Sequence, residues 1–165
     1  MTSVYLMWLL FVIVYDLRQR RVPNWLVLAG AFSALATLAL GVGPPGQDWP
    51  MALLGGAIGF GFLLVFYAFG LMGAGDVKFA GALGLWVGPW ALMPIWIIGS
   101  LLGGLHAVLW LGLRRWPISQ RASLMLFGPS QIPTDSTPTR VRFIPYAAYL
   151  ALAAAIWMVW GRQSG

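Results

Sequence analysis

The sequence predicts an all-α membrane protein, a polytopic bundle of six transmembrane helices with both termini outside. Three observations carry that expectation. The chain is 60% hydrophobic and only 8% charged, with a mean hydropathy of +0.81, far from the balance of a soluble globular domain. Its apolar runs approach or exceed the ~18 to 20 residues that cross a bilayer as a helix, and the weak period-two alternation of a barrel is absent. Its cations, finally, fall in alternate gaps between those runs. Six helices of about 20 residues use most of the length, so residues 1–165 are expected to form a single membrane domain with short loops.

Helix 1 runs from about Ser3 to about Asp16 and on into Leu17, ahead of Arg18, Arg20 and Arg21. At ~1.5 Å per residue it reaches across the hydrocarbon only if Asp16 is included, which puts Asp16 at the inner boundary. With no basic n-region and no small-residue cleavage site before Asp16, it reads as a retained helix rather than a signal peptide. Pro23 and Asn24 restart the chain, Asn24 as the expected cap, and helix 2 follows from Trp25 to about Leu40. The Gly- and Pro-rich stretch from Gly41 to Asp48 is a breaker without a cation.

Helix 3 runs from about Met51 to Phe69, with Gly55, Gly56, Gly59 and Gly61 expected to let helix backbones approach closely in lipid. A loop from Gly70 to Asp76 leads to helix 4, from about Val77 to Trp86. That run is short, so the helix either extends to Pro89 or Leu92 or enters the membrane only partway. Pro94 opens helix 5, which ends near Leu113 and carries Gly99, Ser100, Gly103 and Gly104 as further small contacts. The polar segment from Arg114 to Arg142 reads as a cytoplasmic loop, with a short surface helix around Ser119 to Phe127. Helix 6 spans about Phe143 to Trp160.

Orientation follows from the cations. Of the ten, Arg18, Arg20, Arg21, Lys78, Arg114, Arg115, Arg121, Arg140 and Arg142 fall in the first, third and fifth gaps, and only Arg162 lies elsewhere. The positive-inside rule then puts these gaps in the cytoplasm. The natural partner of the +6 net charge is therefore the anionic lipid surface rather than nucleic acid. The chain has no cysteine, which excludes disulfide frameworks and thiolate zinc sites; no cofactor or metal is expected.

The four acids are all aspartates. Asp16 and Asp76 fall at cytoplasmic helix ends at similar depth, whereas Asp48 falls on the opposite side and Asp135 lies in the polar loop. A carboxylate among apolar residues is expensive, which makes it a candidate functional group. Two carboxylates within about 3 to 4 Å share a proton, one acting as general base on a water and the other as acid toward a carbonyl. The macrodipole favours an anion at the start of helix 4 and not at the end of helix 1, which suggests Asp76 as the base.

Simpler readings stand beside this one. Asp76 is alternatively the cap of helix 4, and Asp16 a boundary residue paired with Arg20 at i+4. His106 reads as a hydrogen-bonded packing histidine. Lys78, two residues after Asp76, does not share its face; lipid phosphate is its favoured partner and a peptide the other. A non-catalytic scaffold, or a small transporter whose acids bind a proton or cation, is the alternative function.

Three segments resemble the prepilin peptidase family of polytopic aspartic proteases. Asp16-Leu17-Arg18-Gln19-Arg20-Arg21-Val22-Pro23-Asn24 is similar to the family's first motif, an Asp followed by an aliphatic-Pro-Asn triplet. Gly73-Ala74-Gly75-Asp76-Val77-Lys78 is similar to its Gly-x-Gly-Asp motif, and Ile144-Pro145-Tyr146 to its late Pro-containing segment. The resemblance implies a catalytic pair of Asp16 and Asp76, a loop shaped by Gly73 and Gly75, and Pro23, Asn24 and Lys78 as possible contacts to substrate or lipid. It further implies cleavage of basic leaders, after a glycine, from pilin-like precursors at the cytoplasmic face of the bacterial inner membrane. Without cysteine motifs and with nothing before helix 1, the chain is similar to the short form found with tight-adherence (Flp) pili, which implies cleavage without methylation.

Overall fold

In the computed structural model, residues 2–19, 21–43, 47–115 and 145–161 are described. They form five α-helices and no strand: α1 (Thr2–Gln19), α2 (Asn24–Ala39), α3 (Trp49–Ala68), α4 (Ala74–Arg115) and α5 (Tyr146–Gly161). The expected surface helix from Ser119 to Phe127 lies outside the described residues.

Helix α4 takes the place of two expected helices. Gly88 interrupts it with φ 73° and ψ 176°. Pro89 is the cause, because a proline disfavours helical geometry in the residue before it, and a glycine reaches positive φ without a Cβ clash. The break therefore falls at Gly88-Pro89 and not at Pro94, which sits inside the second limb. The first limb begins at Ala74, three residues before the expected Val77.

Glycines set the α3–α4 seam. A Cβ on Gly55 would fall on the backbone of Gly84 and Gly88, and one on Gly59 on the backbone of Ala80. This pairing makes the first limb antiparallel to α3, and it brings Asp76 level with Leu63, about 7 Å short of the end of α3 at ~1.5 Å per residue. Beyond the break the direction reverses, for Trp96 stacks on Phe62 at 4.3 Å between ring centroids. The second limb then receives α5 against Gly99 and Gly103.

The remaining helices are tied by tryptophans. Trp8 of α1 donates its indole N–H to the Leu26 carbonyl at 2.9 Å, and Trp86 of α4 donates to the Gly30 carbonyl at 2.9 Å. Both carbonyls belong to α2, so one helix is held from two sides. Helices α2 and α3 each end on a glycine with positive φ, Gly41 and Gly70. In both, the following amide reaches back five residues, Val42 to Thr37 and Leu71 to Phe66, a Schellman ending. Asp48 caps α3 by accepting the Met51 amide at 3.0 Å, at the end of that helix away from Asp76.

The exterior is apolar: Phe32 is 75% exposed, Trp90 85% and Val108 69%. Among the described residues two helical stretches are long and apolar enough to cross a membrane, Trp49–Ala68 and Ala74–Leu109.

Candidate active site

Asp16 and Asp76 are the buried acids among the described residues, 3% and 8% exposed. Asp16 occupies the last turn of α1, and Asp76 the first turn of α4. What brings them together is a third element, the start of α5. Pro145 precedes that helix, and the first amides of any helix have no carbonyl of their own turn to bond. Ala147 donates its backbone N–H to Asp76 Oδ1 at 3.0 Å, and Ala148 donates to Asp16 Oδ2 at 2.8 Å. Neighbouring Cα atoms are only ~3.8 Å apart, so acids held by consecutive amides meet at one point. They lie within range of direct electrostatic interaction.

The helix dipole strengthens this arrangement, since the N-terminal end of α5 attracts negative charge. It acts on both acids. Dipoles of α1 and α4 alone, the basis for choosing Asp76 as the base, leave this contribution out. Tyr146 fixes the start of α5 laterally, its hydroxyl 3.1 Å from Ser100 Oγ on the second limb.

The simpler readings are answered in part. Asp76 lies inside α4, not at its cap position; it takes the Gly73 amide back across the first turn as well as the amide from α5. It therefore closes its own helix and joins the two ends. Arg20 lies outside the described residues; the Asp16 carboxylate reaches the start of α5.

Gly73 and Gly75 flank Asp76 for reasons other than unusual dihedrals. The described glycines with positive φ are Gly41, Gly70 and Gly88. A Cβ on Gly73 would come 3.3 Å from Asp76 Oδ2, tight enough to press on the carboxylate. One on Gly75 would make ordinary contact, 3.5 Å from the Val22 amide nitrogen.

Pro23, not Asn24, is the cap residue of α2, and no side-chain cap bond is made there. The Asn24 side chain instead accepts from Lys78 Nζ at 3.0 Å, joining the starts of α2 and α4. His106 is exposed and sets its ring against Tyr149 at 5.8 Å. Helix α5 begins at Tyr146, directly after Pro145; the expected start at Phe143 lies outside the described residues. Among the described residues no three His, Cys, Asp or Glu side chains converge.

The residues that sequence reasoning missed are Ala147 and Ala148, which act through their backbones. The available signal was Pro145, a proline at a helix start with two small residues just inside.

Residues 3–108 match the model of the type IV leader peptidase family. The chain belongs to the type IV leader peptidase family. The matched segment of the leader peptidase family contains both acids and ends before α5. A prepilin leader peptidase/N-methyltransferase of Xanthomonas campestris pv. campestris is 30% identical over 155 residues, covering 90% of this chain and 45% of the relative. A protein of the same name from Pseudomonas putida is 31% identical over 163 residues, 94% of this chain and 48% of that relative. The chain thus spans about half the length of these curated relatives. No solved structure matches it.

Proposed function

We propose that this leader peptidase family member is an aspartic endopeptidase of the bacterial inner membrane that removes basic leaders from pilin-like precursors. One observation carries the reading: two buried carboxylates on different helices are held by consecutive amides of a third. A structural role needs neither the second acid nor its burial at the same point.

In this mechanism Asp16 and Asp76 share one proton and hold a water between them. The ionised member takes a proton from that water as its oxygen attacks the scissile carbonyl carbon, while the protonated member gives its proton to the carbonyl oxygen. Return of a proton to the amide nitrogen then lets the C–N bond break. Held by a backbone amide at one oxygen each, the carboxylates keep their orientation through the cycle. Gly73 leaves the space in which the Asp76 carboxylate sits.

The membrane arrangement belongs to the same proposal. With the two limbs of α4 counted apart, six helical segments cross the bilayer and both termini lie outside. Asp16, Asp76 and the cations Arg18, Arg21 and Lys78 then face the cytoplasm, as the positive-inside rule requires. The apolar exterior supports this reading, since a surface of that kind is stable against lipid and not against water. Methyl transfer, which the relatives' names include, is not part of the proposal.

The test uses the purified chain in detergent and a synthetic precursor carrying a basic leader, a glycine and the following apolar helix. Mass spectrometry is expected to find a single cut after the glycine. An intact precursor would overturn the reading in favour of a scaffold or a cation-coupled subunit.

A further inference from the structure

Helices α2 and α3 both pack on the first limb of α4 but scarcely meet each other. Between them lies an apolar groove of about 640 Å³. Gly81 and Ala82 of α4 line its floor, Ala31 of α2 and Ala57 of α3 its sides, and Lys78 and Asn24 its head. Among the described residues no other charged side chain lines it. Lys78 lies two residues beyond Asp76, so it points away from the acid pair; the groove occupies a separate face of the limb.

Polarity and charge choose the occupant. From Lys78 to Leu85 the groove runs about 10 Å, at ~1.5 Å of helix rise per residue. Its apolar walls suit an alkyl chain, and the ammonium at its head repels the basic leader of a precursor. The charge at the head selects an anion, and the 3.0 Å bond that Lys78 Nζ donates to Asn24 Oδ1 fixes where the ammonium stands.

We propose that this groove holds one acyl chain of an anionic phospholipid, with its phosphate on Lys78. The lipid fills the seam between α2 and α3 and fastens the start of α2 to the limb that carries Asp76. This rests on the membrane reading above.

The test is native mass spectrometry of the full chain in mild detergent, titrated with phosphatidylglycerol or phosphatidylcholine of identical acyl chains. One cation near the headgroup is worth about five-fold, so the wild type is expected to retain phosphatidylglycerol over phosphatidylcholine by about that factor. Lys78→Gln should remove the preference, Lys78→Arg should keep it, and Ala57→Phe, which fills the groove, should lower retention of both lipids. Equal retention of the two lipids by the wild type, or a preference that survives Lys78→Gln, would overturn the proposal. Capture of a precursor in place of lipid by a photocrosslinker at Leu28 would do the same. Asp76→Asn should keep the lipid preference while losing cleavage, which separates failure of this site from failure of the peptidase reading.

Discussion

Proline at position 147 would delete the amide that Asp76 accepts, while the helix loses no bond of its own, because first-turn amides have no partner in their helix. A hydrogen bond to a charged group contributes about 1.5 to 3 kcal/mol, so Ala147→Pro is expected to slow cleavage roughly 10- to 100-fold with membrane insertion intact. Gly73→Ala and Gly75→Ala should differ. The first presses a methyl toward Asp76 Oδ2 and should slow cleavage by roughly five-fold, about 1 kcal/mol; the second meets Val22 at ordinary contact and should leave the rate within two-fold or so. Steady-state rates on one precursor check all three. That Asp16 and Asp76 are drawn to one place was legible in the sequence, because a charge beside an apolar run is costly unless other groups of the chain meet it. Ala147 and Ala148 were not, since a backbone amide carries no side-chain signature.

At the level of elements, the α3–α4 seam depends on bare backbone. Gly84→Val would set side-chain atoms on the Gly55 carbonyl, and overpacking of this kind costs about 1 to 3 kcal/mol. Gly61 on the same helix as Gly55 meets nothing within 4 Å, so Gly61→Ala should be neutral or gain up to ~1 kcal/mol of helix propensity. Thermal unfolding in detergent should show a lowered midpoint for the first and none for the second. The seam was readable from glycines four apart, and so were the helices. The break was misplaced because Pro94 and Pro89 look alike in sequence; only Pro89 follows a glycine able to take φ of 73°. Asn24 has the side chain of a cap, but it accepts from Lys78, fifty-four residues away. Contacts at that separation have no local pattern.

For the molecule as a whole, topology can be measured directly because the chain has no cysteine to interfere. Val42, 43% exposed, and Leu71, 66% exposed, end successive turns on opposite sides of the proposed bundle. Val42→Cys should react with an impermeant maleimide in intact cells, and Leu71→Cys only after permeabilisation. The reverse pattern would place the acids outside the cytoplasm.

The central claim is that two acids form one site. Purified wild type, Asp16→Asn, Asp76→Asn and the double variant should be compared on the same precursor under single-turnover conditions. Groups that act as a unit lose together, so each single variant is expected to fall to background and the double variant to fall no further. A single variant that cleaves within about ten-fold of wild type, or a double variant much slower than either, would contradict it.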